Sequence, residues 1–298
     1  MTLNGDGVDS TGGWATQQVL NAFLDRFYPA APAAPTVPIA TAPITTGLDR
    51  YTGDYRSTRT SRSNLTKAAA LMGSLHVTAA DGRLTVTGPV TRDPEAEETH
   101  WEQIEPGLFQ QVGGTARIAF PTGADGAVTA LLTDADPTVA YQPLAWYQAP
   151  GLHRITALAG LAVLALTLLG WTVGALVRLV RRRGRAGQPA VRLLGAAVST
   201  LLLAATACFA LLTADPNELN QTLFLADSPL LTVVPVLVLA ALALTAPMLV
   251  CTVLAWRRRW WGVPGRLHYT ALTLASLLLL LLAGAYDLAG TSALDLLG

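Results

Sequence analysis

Four runs of apolar residues without one charged side chain decide most of what this 298-residue chain can become. They are Ile155–Val177, Leu193–Ala214, Pro229–Trp256 and Tyr269–Tyr286, of 23, 22, 28 and 18 residues. A helix rises ~1.5 Å per residue and the hydrocarbon core of a bilayer is about 30 Å thick, so each run can cross it. Buried helices of a water-soluble protein would need polar faces, and four such runs in the C-terminal half leave none. The sequence predicts a four-span membrane bundle over residues 151–298.

The arginines set the expected orientation. Arg178, Arg181, Arg182, Arg183, Arg185 and Arg192 stand between the first two runs, and Arg257, Arg258, Arg259 and Arg266 between the last two. The other short connection carries Asp215, Glu218 and Asp227, and the tail carries Asp287 and Asp295. Positive loops stay cytoplasmic, so residues 1–150 and the C-terminus are expected outside, with Arg178, Arg181–Arg183, Arg185 and Arg257–Arg259 fixing the topology. Trp171, Trp256, Trp260, Trp261 and Tyr269 fall near span ends, as interfacial aromatics do. The arginine loops also have the chemistry to hold anionic headgroups or a cytoplasmic partner, but topology alone accounts for them.

Nothing in the runs asks for transport. No ionisable group falls at a span midplane, where pumps and channels keep theirs. Pro235 and Pro247 predict kinks in the third span. The only cysteines, Cys208 and Cys251, lie at depths too different for a disulfide and read as small apolar residues. The bundle reads as an anchor in the lipid bilayer.

The first 153 residues are different in kind, with fifteen acids against nine bases. Trp14–Tyr28 has Leu20, Phe23, Leu24 and Phe27 at helical spacing, and Pro29 ends it. Pro29, Pro32, Pro35 and Pro38 recur every third residue, the period of polyproline II, which makes residues 29–43 a semi-rigid linker. Residues 44–150 then read as a small antiparallel β domain of six to eight short strands. Leu75–Val77 and Leu84–Val86 alternate around Asp81-Gly82, a hairpin signal. Trp101–Phe109 reads as one strand, Ala116–Phe120 and Val128–Leu132 as a pair joined through Asp125-Gly126, and Val139–Tyr147 as the last strand. A helix is expected at Asn64–Met72. Met1–Gly13 has neither a basic start nor an apolar core, so no signal peptide is expected there. Lys67 is the single lysine, and the bias to Arg, Ala, Gly and Pro points to a GC-rich bacterial coding sequence.

The order of the pieces carries a resemblance. Phe-Leu-Asp-Arg-Phe-Tyr-Pro (Phe23–Pro29) is followed by the Pro/Ala linker, then by Tyr-Thr-Gly-Asp-Tyr-Arg-Ser-Thr-Arg (Tyr51–Arg59) and the Asp-Gly hairpin. Trp-Glu-Gln-Ile-Glu-Pro-Gly-Leu-Phe (Trp101–Phe109) and the membrane tail complete it. This resembles the C-terminal region of bacterial β-lactamase-related serine hydrolases, the penicillin-recognising family of class C β-lactamases, D-aminopeptidases and related esterases. The resemblance implies an accessory β-barrel and membrane helices behind a catalytic domain. It implies that residues 1–28 are the closing strand and helix of that domain, whose bulk is absent through a truncated frame or a split gene. The expected fold class is an extracytoplasmic antiparallel β-barrel, lipocalin-like or a sandwich, with an N-terminal helix and a four-span bundle.

The family's catalytic residues do not carry over. Its nucleophile needs Ser-x-x-Lys, and three residues before Lys67 stands Asn64. Tyr-x-Asn, Ser-x-Asn, Lys-Thr-Gly and His-x-Gly are missing too. The expectation is a catalytically empty chain without cofactor or metal, whose partner is a separately encoded or missing hydrolase domain. The alternative is a receptor or scaffold whose β domain binds a ligand. The candidate positions are Tyr51, Gly53, Tyr55, Arg56, Arg59 and Trp101, lining the barrel or facing a catalytic domain. Core packing with a local ion pair also accounts for the Tyr51–Arg59 stretch and is the preferred reading. His76 and His100 read as plain barrel residues, and the acidic loop from Asp93 to Glu105 as solvated. Four scattered histidines offer no zinc spacing, and the acidic domain argues against nucleic acid.

Overall fold

The structure, a computed structural model, describes residues 19, 22–23, 26–27, 47–59, 67, 74–88, 90, 98–181, 188–214 and 228–289. Two compact units divide at Pro150 and Gly151. The linker, most of the stretch Asn64–Met72 expected as a helix, and the expected acidic loop up to Glu97 lie outside the described residues; Glu98, Glu102 and Glu105, expected in that loop, stand instead in a strand, Glu98–Glu105. Of the N-terminal helix, Val19, Ala22, Phe23, Arg26 and Phe27 are described, all helical, with the Phe23 and Phe27 rings 4.9 Å apart.

The first unit is a closed antiparallel barrel of eight strands. They are β1 (Gly53–Ser57), β2 (Ser74–Ala80), β3 (Arg83–Thr87), β4 (Glu98–Glu105), β5 (Leu108–Gln111), β6 (Arg117–Ala119), β7 (Leu131–Thr133) and β8 (Ala140–Pro143). Each pairs with the next in sequence, and β8 returns to β1 through Tyr55 opposite Pro143 and Ser57 opposite Tyr141. Closure decides between the barrel and the sandwich left open by the sequence. Period-two alternation sends one side of every strand inward. Leu75, Val77, Leu84, Val86, Trp101, Phe109, Ile118 and Leu131 are fully buried there. A 3-10 turn at Leu48–Tyr51 adds Leu48 and Tyr51 to the same core. Tyr51, Phe109 and Phe120 meet pairwise at ring distances of 4.9–5.4 Å, mostly edge to face. An eight-stranded barrel is just wide enough for such side chains to fill. This interior is a packed core.

Three strand expectations change. Trp101–Phe109 is two strands, because Pro106 has no N–H for a ladder and Gly107 turns the chain at φ 79°. A Cβ on Gly107 would sit 2.9 Å from the Phe120 carbonyl oxygen, while the Phe120 N–H donates to the Gly107 carbonyl at 2.7 Å. The Asp125-Gly126 turn exists, but β6 and β7 are only three residues each. Thr122 and Val128 form an isolated bridge between them and the turn. Val139–Tyr147 keeps its strand for Ala140–Pro143 and then becomes a 3-10 turn at Trp146–Gln148.

The second unit contains α1 (Pro150–Val180), α2 (Pro189–Leu212), α3 (Leu230–Arg257) and α4 (Val263–Ala285). All four are long and apolar enough to cross a membrane, so the chain is a multi-pass membrane protein. Each expected span is present. The fourth starts six residues earlier than the charge-free run, since Pro264 is tolerated in a first helical turn. Buried hydroxyls are satisfied within their own helices: Ser199, Thr245 and Ser276 donate to the carbonyls of Gly195, Ala241 and Leu272 at 2.7–2.9 Å. Thr252 and Thr273 share a hydrogen bond of 2.8 Å between α3 and α4. Small residues let helices close in, as where a Cβ on Gly195 would lie 3.0 Å from the Trp171 ring. Pro235 and Pro247 lie inside α3, and Cys208 and Cys251 are free thiols.

Candidate functional site

The motif-like stretch supplies the barrel with its polar core. Tyr55 points inward from the middle of β1 and donates its hydroxyl to the Tyr51 carbonyl at 2.8 Å. Burial pushes the Tyr55 phenol up to about 12. The Gln103 amide donates to the Tyr51 hydroxyl at 3.4 Å, and its carbonyl oxygen is buried without a partner among the described residues. Trp101 is wholly buried; its indole N–H donates to Thr99 Oγ1 at 2.9 Å, and Thr99 in turn donates to the Val86 carbonyl. Tyr51, Tyr55 and Trp101 therefore sit in the core of the barrel.

Gly53, Arg56 and Arg59 do not join them. Gly53 opens β1 at φ 133°, a backbone angle that favours glycine. Arg56 is half-buried and lies opposite Ser74 and Gln142 in the ladder. Arg59 is exposed after β1. Thr138 holds the Asp136 carboxyl below the usual carboxylate range through its hydroxyl and backbone N–H, and the Arg59 charge adds a smaller pull.

The outer face of β1–β4 carries polar pairs. His76 Nδ1 lies 2.8 Å from Asp54 Oδ1, His100 Nδ1 lies 3.1 Å from Thr85 Oγ1, and Arg83 reaches Glu102 Oε1 through Nε at 2.9 Å and Nη2 at 2.7 Å. The register explains the first two, since Asp54 pairs with His76 and Thr85 with His100. The Asp54–His76 pair has two members of a hydrolytic triad. The His76 side chain is 55% exposed, and no nucleophile is bonded to it among the described residues. Its geometry is that of a cross-strand pair in water, worth about 1 kcal/mol or less. No cluster of three or more His, Cys, Asp or Glu suited to a metal occurs among the described residues.

Apart from Arg154 near the start of α1, the described arginines of the bundle gather at one end. Arg178 lies in the last turn of α1, Arg181 follows it, Arg257 ends α3, and Arg258 and Arg259 lead into the α3–α4 connection. Arg182, Arg183 and Arg185 lie outside the described residues. Two more arginines rest on indole faces. The Arg192 guanidinium is 5.9 Å from the Trp261 ring and that of Arg266 5.0 Å from Trp256. Tyr269, 5.4 Å from Trp261, donates its hydroxyl to the Val191 carbonyl at 3.2 Å and so ties α4 to the start of α2. Sequence reasoning counted Arg192 and Arg266 as loop charges and missed this stacking, whose one signal was tryptophan beside arginine. At the opposite end, His153 Nδ1 is 2.7 Å from the Tyr286 hydroxyl.

No protein-family model matches the chain. No curated protein matches it either.

Proposed function

We propose that the chain is the membrane-anchoring and accessory portion of a β-lactamase-related serine hydrolase that acts outside the cytoplasm. In this reading the barrel stands on the extracytoplasmic side and the four helices hold it there. The observation that carries it is the barrel interior: Tyr51, Tyr55, Trp101 and Phe109 fill it, so recognition falls to the outer surface. An outer surface of strand-to-strand polar pairs suits contact with a folded protein domain. It suits a small ligand in a barrel mouth less well, which supports the accessory reading over a lumen-binding receptor. The order of motifs from Phe23 to the membrane tail supports a hydrolase domain as the partner.

A photo-crosslinking residue at Thr85 or Gln110, on the barrel exterior, tests this in native membranes. A fluorophosphonate that labels active serine hydrolases should mark the crosslinked adduct and leave the purified chain unlabelled. Labelling of the purified chain would overturn the non-catalytic reading. Adducts that never carry label would overturn the hydrolase partner.

A further inference from the structure

Seven described guanidinium groups occupy the arginine end of the bundle: Arg178, Arg181, Arg192, Arg257, Arg258, Arg259 and Arg266. The sequence places no Asp or Glu between Arg154 and Asp215, or between Asp227 and Asp287. The chain itself thus supplies no counter-charge from either arginine-bearing connection. Topology requires that arginines be on this side of the membrane, but it does not require where each one lies.

Arg192 and Arg266 have defined places. Each sits in the first turns of a membrane helix, spread over an indole. Both indoles are themselves fixed. The Trp256 N–H donates to Thr270 Oγ1 at 3.0 Å, and Trp261 is packed on Tyr269. Trp261 and Arg259 hold positive φ angles of 58° and 52°, unusual for residues other than glycine. Arg266 Nε is buried and has no acceptor among the described residues. A guanidinium held over an indole still has N–H donors to offer, and their planar fork can grip two oxygens of a phosphate. Neither α2 nor α4 has a side-chain cap or an acid in its first turn, so their N-terminal dipoles add to the positive potential.

We infer that Arg192 and Arg266, seated on Trp261 and Trp256, bind the anionic phosphodiester headgroup of a membrane phospholipid in the leaflet that faces the arginine connections. The occupant follows from the surroundings. Tryptophans at helix ends lie at headgroup depth, and a phosphodiester is the anion available there. Through Trp261, which meets Arg192 of α2 and Tyr269 of α4, the α3–α4 connection joins the two helices at this site.

The test uses the full chain in a neutral detergent, with bound lipid counted by native mass spectrometry. Phosphatidylglycerol should bind at least about tenfold more tightly than phosphatidylcholine of the same chain length. The double variant Arg192→Gln, Arg266→Gln should lose about tenfold in phosphatidylglycerol affinity, and Arg181→Gln, Arg258→Gln, which removes equal charge, about twofold or less. Inorganic phosphate at matching concentration should leave the lipid bound. Equal binding of the two lipids, equal losses in the two variants, or displacement by phosphate would each overturn the site. The headgroup comparison needs no variant and decides alone if a substituted chain fails to fold.

Discussion

Tyr55 shows what burial does to one side chain of this barrel. Its hydroxyl is satisfied by the Tyr51 carbonyl, yet removal from water raises its ionisation from about 10 to about 12. Unfolded, the phenol ionises first, so the folded state holds the extra proton at high pH. The stabilisation is complete below about pH 10 and is lost as pH rises from about 10 through 12. Tyr141, raised by burial and by the Asp136 charge, acts in the same direction. Barrel unfolding followed by pulse proteolysis in urea should show this decline, and Tyr55→Phe should make it shallower while costing about 1 kcal/mol at neutral pH. An identical slope in the variant would count against the assignment. The Tyr51–Arg59 motif was readable in the sequence as barrel lining or core packing; which of its side chains turn inward was not. Tyr51 belongs to a 3-10 turn, where a period of two says nothing about direction. The contact of Asp54 with His76 was equally hidden, because it depends on the register between strands separated by 16 residues that carry no hairpin signal.

Strands and helices differed in how openly they declared themselves. The membrane helices follow from length and absence of charge, which no neighbour has to confirm. Their ends moved because helix starts tolerate Pro264 and Arg266 in a way a charge-free run cannot register. The β4–β5 division was harder, since Trp101–Phe109 alternates well enough to pass for one strand. Pro106-Gly107 is the turn that divides it. Gly107→Ala should destabilise the barrel by about 1–3 kcal/mol, from a positive φ and a Cβ pressed on the Phe120 carbonyl. Gly126→Ala also meets a positive φ but has open space around it, and it should cost about 1 kcal/mol. Urea midpoints of the two variants compare them directly. Equal shifts would remove the Phe120 contact from the explanation.

Taken together, the chain separates its charges along its length. The residues before Arg154 carry the excess of acid, and every described arginine of the bundle except Arg154 lies at one end. That separation predicts sidedness, and single cysteines read it. In a Cys208→Ala, Cys251→Ala background, Ala124→Cys on the exposed β6–β7 connection should react with a membrane-impermeant maleimide on intact cells. Arg258→Cys should react only after permeabilisation. The reverse pattern would invert the topology and remove the extracytoplasmic reading of the barrel.

The pairing of β8 with β1 reaches further than the shape of one domain. A ring of eight strands has no first or last member, and so no row of unpaired amides for a stranger to copy. Crowded in two dimensions by their helices, neighbouring copies can collide without templating one another into fibrils. The same closure rules out recruitment by adding a strand: whatever settles on this domain must be recognised by side chains.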